Sequence, residues 1–519
     1  MIERYLENRL ITLYLVPFFL GSLTILSFEP FNLIIINFLV FPLFFSLLVY
    51  VNKKSRALYR KKPYRINLFI FGISFGFGFY LSGVSWITNS LTFDDNFKTL
   101  IPFAFILIPL FLSLFVGFTT LIIGKYLKLD FASLLIFSAI LAFSDYLRAN
   151  ILTGFPWNLW AYSTTLVNEI LQIVNQIGIY SYNLLTITIF TLPIIIFFQI
   201  SNVKKFLIIF STLSFILSLY IYGNYEINKN KKFLENNVQK IYVKIVSPNF
   251  DLQYGLSTKE IEGRLKKLVR YSDPDKEKKT IFIWPEGVFS GYSFDEILIF
   301  NKLISKNFSN NHYIIFGVNK LDLASGLFYN SMIVINNNFE IIQSYNKRKL
   351  VPFGEFLPFE NILNKFGFKK ITEGHGSFLA GQEKKNMLID KLNILPLICY
   401  EIIFPNLIKN SNENTNLIVN ISEDGWFGQS IGPDQHFTKS IFRAIENNTF
   451  LLRSANRGVS AIIDNKGKII KKLNRNEAGN IEYEVPLIKS NKIKNDLIFF
   501  ILLITYLLIF LINKKQYAK

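Results

Sequence analysis

The sequence predicts a chain in two parts: a polytopic α-helical membrane domain of about eight spans, and an α/β domain carried between its last two spans. Three observations predict it. Seven apolar stretches follow one another through residues 1–224, and an eighth closes the chain. Between them, residues 225–495 alternate short β-rich runs with helix-like stretches. The 519 residues are 51% apolar, with 54 phenylalanines, and only 18% charged, against about 25% in an ordinary soluble domain. Mean hydropathy is +0.32. That composition excludes a disordered chain, a collagen-like repeat and a disulfide-rich mini-protein. One cysteine also rules out an intramolecular disulfide and a multi-cysteine metal cluster.

The spans are expected at 10–27, 32–51, 67–89, 99–124, 131–147, 178–200, 206–222 and 497–512. Most supply the roughly 17–25 apolar residues that a hydrocarbon core of ~30 Å requires. Any one of them alone reads equally well as a buried core helix; seven in series do not. The last is short, and Lys514 and Lys515 behind it can snorkel to the interface. Arg4 and Arg9 precede the first span, and seven basic residues between Lys53 and Arg65 follow the second. Lys125, Lys128, Lys204, Lys205 and the lysine-bearing tail occupy later loops on that same side, whereas the opposite loops hold only Lys98 and Arg148. The positive-inside rule therefore places both termini in the cytoplasm. The first span lacks a small-residue cleavage site and reads as an anchor. The expected boundaries are 1–224 for a membrane domain of seven transmembrane helices, 225–495 for an extracytoplasmic domain, and 496–519 for the eighth span and a cytoplasmic tail.

The net charge of +19 is spread over both parts. It argues for topology signals and an anionic membrane surface, not for nucleic acid. Within 225–495, strand-like runs stand at 241–247, 280–284, 313–318, 331–336, 394–398, 416–421 and 459–463, with helix-like stretches at 257–271 and 434–448. Their apolar continuity predicts strands buried on both faces. The Asn- and Lys-rich stretches near 223–239 and 409–416 read as solvated linkers or turns.

Three strand ends carry candidate chemistry. Cys399 closes the apolar run in LPLICYE. Such a cysteine is ordinarily a small buried hydrophobe, but at a carboxyl sheet edge it projects where α/β sites assemble. Glu286 in WPEG closes another run, between Pro285 and Gly287, which dictate a sharp turn. In YNKRKLVPFGEFLP, the candidates Lys347, Arg348 and Lys349 follow a strand-like run, and spacing does not choose among them. A carboxylate, an ammonium and a thiol make a coherent acyl-transfer set. A free thiol has a pKa of ~8.5 and needs a base. A carboxylate can supply that base. An ammonium and the backbone N–H groups after the nucleophile, from Tyr400 onward, can hold an oxyanion.

In order, WPEG, YNKRKLVPFGEFLP, CYE, NISEDGWFG and RSANRG resemble the nitrilase superfamily with its Glu-Lys-Cys triad. In detail they resemble the apolipoprotein N-acyltransferases. SFEPF at 27–31, SGVSW at 82–86 and TGFPWNLWAYS at 153–163 extend the resemblance over nearly the whole chain. It implies a nitrilase-like αββα sandwich for the second domain. Glu286 resembles the general base, Cys399 the nucleophile, and Lys347 the residue stabilising the tetrahedral intermediate. Glu355 and Glu401 match two supporting acidic residues. Trp426 and Phe427 match an acyl-chain wall, to which Phe353 is added. The resemblance further implies no cofactor and no metal. The donor is a membrane phospholipid acylated at sn-1, and the acceptor is the α-amino group of a diacylglyceryl-cysteine on an apolipoprotein. It implies a monomer in the bacterial inner membrane with the catalytic domain on the periplasmic face.

The chain departs from that pattern at Glu423 and Arg457, where the family carries Asn. A Glu423–Arg457 ion pair would compensate. The family's customary Trp is absent, and Tyr254 is read as its replacement. Of the histidines, His312, His375 and His436, none is expected to act in catalysis, and His436 reads as a helix-start residue. Two other classes remain to be separated: a membrane-tethered hydrolase using the same triad, and a non-enzymatic lipid-binding protein.

Overall fold

The computed structural model describes residues 7–58, 64–236, 239–253, 255–358, 377–383, 385–409, 414–490 and 496–516. The chain divides into two compact units, Met1–Tyr225 with Asn495–Lys519, and Glu226–Lys494.

Among the described residues the apolar helices are α1 (Ile11–Ser27), α2 (Ile35–Leu58), α3 (Tyr64–Val84), α4 (Ile101–Ile123), α5 (Phe131–Asn150), α6 (Ile179–Phe197) and α7 (Asn202–Glu235), which crosses the boundary at Tyr225, with a C-terminal helix at Leu497–Gln516. Seven are long and apolar enough to cross a membrane; α1 is shorter. Aromatic rings fill the interior: Phe44 lies 4.0 Å from Phe75, and Phe41 lies 4.8 Å from Trp160. The three membrane-part motifs meet there. Trp86 lies 4.5 Å from Trp157, Phe28 lies 6.0 Å from Trp160, and Ser27 accepts a hydrogen bond from Asn37. The charge at Asp145 is neutralised in place: Arg148 donates to it at 2.9 Å and Asn183 at 3.0 Å. A buried charge without such partners would cost several kcal/mol.

The stretch from 223 was expected to be a linker, but α7 runs on through it to Glu235. The reason is local. The segment contains no proline, and its Lys, Glu and Leu residues are good helix formers. Leu234, which belongs to the second unit, packs against that unit's own core.

The second unit is built on two six-stranded sheets, ordered β12-β1-β2-β3-β4-β5 and β11-β10-β9-β8-β7-β6. The first comprises β1 (Lys240–Ser247), β2 (Thr280–Ile283), β3 (His312–Leu321), β4 (Phe328–Ile335), β5 (Ile341–Asn346) and β12 (Gly479–Pro486). The second comprises β6 (Met387–Ile389), β7 (Leu392–Ile398), β8 (Leu417–Glu423), β9 (Phe450–Asn456), β10 (Ser460–Ile463) and β11 (Ile469–Leu473). The central strands β1-β2-β3 and β7-β8-β9 are parallel, and the flanking pairs antiparallel.

The period-two alternation of strand side chains dictates the layering. Val243, Ile283, Ile315 and Val334 face one core together with Ile394, Val419 and Leu452 of the other sheet. Val246, Phe282, Phe316 and Ile333 face outward onto α8 (Thr258–Ser272), which contributes Ile261, Leu265 and Leu268. On the second sheet, α9 (Gly432–Asn447) packs against β9. Helix, sheet, sheet and helix give an αββα sandwich. The α8 helix begins with a capping box in which Ser257 and Glu260 exchange hydrogen bonds.

Strand β9 was not expected, because FLLRSAN carries Arg453, Ser454 and Asn456. All seven residues are nevertheless buried, since those polar groups find partners at the sheet edge. In this core Ile394→Ala should lower stability by about 2–5 kcal/mol. Leu388→Ala on β6, where the side chain is 55% exposed, should stay within about 0.5 kcal/mol. Thermal unfolding of the purified variants checks both.

Candidate active site

The candidate residues gather at one edge of the sandwich because three strands end there. Glu286 lies three residues beyond β2, Lys347 directly follows β5, and Cys399 directly follows β7. The turn carrying Glu286 comes unusually close to its neighbours. A Cβ on Gly317 would stand 2.9 Å from Glu286 Cα. Gly287, at φ +73°, leaves room that Glu423 Oε2 occupies, 2.9 Å from where a Cβ would be.

The carboxylates are organised around the buried ammonium of Lys347, which is 1% exposed. Lys347 Nζ donates to Glu355 Oε1 at 2.8 Å and reaches Glu286 Oε1 at 3.4 Å. The Asn330 side-chain amide, on β4, approaches the same two oxygens, each at 2.7 Å. Val351 N–H donates to Glu355 Oε2 at 2.8 Å, so the VPFGE turn closes on its own acid. Glu423 N–H, from the other sheet, donates to Glu286 Oε2 at 3.0 Å. Burial opposes the Lys347 charge, but Glu286 and Glu355 outweigh it and hold the ammonium above its usual range.

Glu401 is fully buried and joins both sheets. Its Oε1 accepts from Tyr345 Oη and Arg348 N–H, each at 2.8 Å, and from Lys349 N–H at 3.2 Å. Its Oε2 accepts from Ile398 N–H at 2.8 Å. One carboxylate thus ties the residue before Cys399 to the residues after Lys347. Burial raises its pKa, and those N–H donors only partly offset the rise.

Cys399 is half-buried and has φ +48°. A left-handed conformation at a non-glycine residue costs about 1–3 kcal/mol and persists only where its surroundings over-determine it. Burial pushes the thiol well above its ordinary range, and Glu286 pushes it further. Lys347 and a hydrogen bond with Ser422 act in the opposite direction. The resting sulfur is therefore a neutral thiol that needs a base at the moment of attack.

Tyr400 begins the helical turn after Cys399, and its ring packs on Phe404 at 5.0 Å. Phe427 is buried, with its ring 5.3 Å from that of His436. Trp426 is half-buried, and Phe353 is 47% exposed at φ +63°. The compensating Glu423–Arg457 pair does not form. Arg457 pairs with Asp251 at 2.8 Å, while Glu423 accepts from Gly425 N–H at 2.8 Å and Asn456 Nδ2 at 2.7 Å. Arg457 takes a left-handed conformation, and a nearer carboxylate claims its guanidinium. Tyr254 and His375 lie outside the described residues. His312 is structural: it accepts from Ser309 N–H at 3.1 Å and meets the Asp275 carbonyl at 2.8 Å.

Sequence reasoning missed Asn330, Ser422, Asp424 and Arg453, and gave His436 only a structural role. Each of the four interrupts or directly follows an apolar strand run near the carboxyl edge, which was the available signal. Together the site offers a carboxylate base, a permanently charged ammonium and a thiol on a strained turn. That set suits acyl transfer through a covalent intermediate.

Residues 252–494 match the carbon-nitrogen hydrolase family, and residues 20–192 match the apolipoprotein N-acyltransferase N-terminal domain. The chain is 31% identical over 482 residues to the apolipoprotein N-acyltransferase of Rhodopseudomonas palustris, covering 90% of this chain and 88% of that one. It is 33% identical over 473 residues to that of Rickettsia prowazekii, covering 90% of each. Among solved structures, Saccharomyces cerevisiae Nit3, of the nitrilase superfamily, is similar over 48% of this chain and 90% of its own, with 17% identity and a TM-score of 0.36.

Burial, the dominant cause, pushes the Glu423 carboxyl up to about 8 despite its donors. A carboxyl raised in the folded state keeps its proton longer there than in the unfolded chain. Stability is therefore lost as pH rises from the unfolded carboxylate range to about 8, and is flat above. Relative to Glu423→Gln, the protein should lose up to about 1.4 kcal/mol per pH unit across that window. Unfolding curves of both proteins between pH 5 and 9 measure the difference.

Proposed function

This chain belongs to the apolipoprotein N-acyltransferase family, and from that membership we propose a ping-pong acyl transfer through a Cys399 thioester. The protein is an integral membrane acyltransferase of the nitrilase superfamily, and its family reaction is the N-acylation of lipoproteins. The observation that supports the finer mechanism is the buried Glu286–Lys347–Glu355 ion cluster at the edge where Cys399 holds its left-handed turn.

In the first half-reaction Glu286 takes the thiol proton as Cys399 sulfur attacks the sn-1 ester carbon of a phospholipid. Lys347 and the backbone N–H groups of the turn beginning at Tyr400 stabilise the oxyanion. The C–O bond to glycerol breaks, Glu286 returns the proton to the departing oxygen, and lysophospholipid leaves a thioester on Cys399. In the second, the α-amino group of a diacylglyceryl-cysteine attacks that thioester and Glu286 accepts its proton. The C–S bond breaks, the amide forms, and the thiol is restored. Glu355 and Glu401 act as supports: one holds the ammonium, the other joins the segments that carry Lys347 and Cys399.

Both substrates carry long acyl chains, each buried CH₂ being worth about 0.8 kcal/mol. Drawing a whole chain into water is prohibitive, which explains an enzyme built on membrane helices. The basic-loop asymmetry supports placing Glu226–Lys494 on the periplasmic face of the bacterial inner membrane, with both termini in the cytoplasm. Phe353, Trp426 and Phe427 are proposed to line the acyl path and keep water from the thioester.

Incubation with phospholipid should add one fatty-acyl group to Cys399, removable by hydroxylamine and visible by intact mass. A protein that turns over without that adduct would refute the thioester. Glu286→Gln and Lys347→Ala should each lower acylation by about 100-fold or more, with folding retained by thermal unfolding. Labelled phospholipid and a diacylated lipopeptide separate the classes: acylated peptide marks the transferase, and free fatty acid alone marks a hydrolase.

A further inference from the structure

Beside Cys399 lies a second buried polar cluster for which the mechanism above has no use. Asp424 follows β8, Arg453 lies on β9, and His436 lies in the second turn of α9; the three are between 0 and 1% exposed. His436 Nε2 is 3.2 Å from the Cys399 carbonyl oxygen. That oxygen can only accept, so Nε2 carries the imidazole proton and donates it. Nδ1 lies 3.0 Å from Asp424 Oδ1 and 3.1 Å from Arg453 Nη2. Asp424 Oδ2 accepts from the same Arg453 nitrogen at 2.7 Å, and Asp424 Oδ1 accepts from Ser422 Oγ at 2.6 Å.

The cluster is built to stay in place. Arg453 Nε donates to the Val459 carbonyl at 3.2 Å, and its Nη1 is bonded to Asn420. Asn420 in turn donates to the Leu397 carbonyl at 3.0 Å, two residues before Cys399. A Cβ on Gly458 would fall 2.1 Å from Asp424 Oδ2, so only glycine there leaves space for the carboxylate.

We propose that His436, braced by Asp424 and Arg453, is a positioning residue that locks the Cys399 peptide in its left-handed turn. The proposal rests on the reading of Cys399 as nucleophile. The strained peptide has its carbonyl held by one N–H, and the ring that supplies it is held on its other side by the Asp424 carboxylate and the Arg453 guanidinium. Burial holds the imidazole below its usual range, with Asp424 acting in the opposite direction. The charged groups acting on the thiol are Glu286 from the β2 turn, Lys347 after β5 and Asp424 after β8. His436 acts on the peptide, which leaves Glu286 and Lys347 to do the chemistry.

The test compares His436→Leu, which cannot donate, with His436→Gln, which can. Two readouts are used: single-turnover acylation from phospholipid, and the pH profile of iodoacetamide alkylation. Alkylation reports on one site because the chain has one cysteine. A sulfur displaced by about 1 Å should slow acylation by about 100-fold with KM retained, and Gln should recover most of that loss. His436→Leu with the same unfolding temperature and the wild-type acylation rate would overturn the proposal, as would Gln failing as badly as Leu. Should His436→Leu not fold, His436→Asn decides. Its shorter amide cannot reach the Cys399 carbonyl, so relative to His436→Gln its acylation should slow and its alkylation profile should shift; coincident rates and profiles reject the proposal. Alkylation needs no phospholipid, so a failure of the acyl-transfer reading would leave this outcome legible on its own.

Discussion

Everything at the catalytic edge is arranged around one costly requirement, a positive charge kept inside the protein. An ammonium removed from water loses many kcal/mol of hydration and recovers it only from close, well-aligned carboxylates. Lys347 is surrounded accordingly, by Glu355 and Glu286 with Asn330 spanning the two acids. The carboxylates then need their own donors. Val351 and Glu423 supply backbone N–H groups, which obliges the VPFGE turn to close and the second sheet to approach the first. Gly287 and Gly317 are small because that approach leaves no room for a side chain. The ion cluster thus sets how near the two sheets come at this edge, and with it the position of the thiol.

The fold provides such a place because both sheets are parallel at their centres and present carboxyl ends of strands to the same edge. Side chains after β2, β5, β7 and β8 converge there, while the inter-sheet layer stays apolar. Glu401 marks the seam: it takes N–H groups from segments after β5 and at the end of β7. The membrane unit solves a different problem with the same physics. Its interior is aromatic, and its buried charge at Asp145 is matched by Arg148 and Asn183.

The apolar stretches were legible because a span must be long and nearly charge-free whatever its neighbours are. The strands of the sandwich were legible where they were purely apolar, as at β2 and β7, and invisible where they were polar, as at β9. There Arg453 interrupts an apolar run and is nevertheless fully buried, because Asp424 and Asn420 bond its guanidinium. Arg457 failed in the other direction: its proposed partner Glu423 is close in kind, but Asp251 holds the guanidinium. The end of α7 was misjudged because polarity alone does not distinguish a solvated helix from a linker.

By itself the sequence determined the two-part design, the apolar spans and the order of chemistry-bearing segments, since these follow from local composition and spacing. It also brought Glu286, Lys347 and Cys399 into view as a resemblance, through motifs that stand far apart along the chain. Only the tertiary structure decided what surrounds them: which oxygen each donor meets, that Asn330 bridges two acids, that the Cys399 backbone is left-handed, and that His436 reaches its carbonyl. The Asn330 bridge, the carbonyl contact of His436 and the Glu423 bond to Glu286 join residues 25 to 137 positions apart. No local rule of propensity or periodicity carries information across that distance; strand register and sheet packing do.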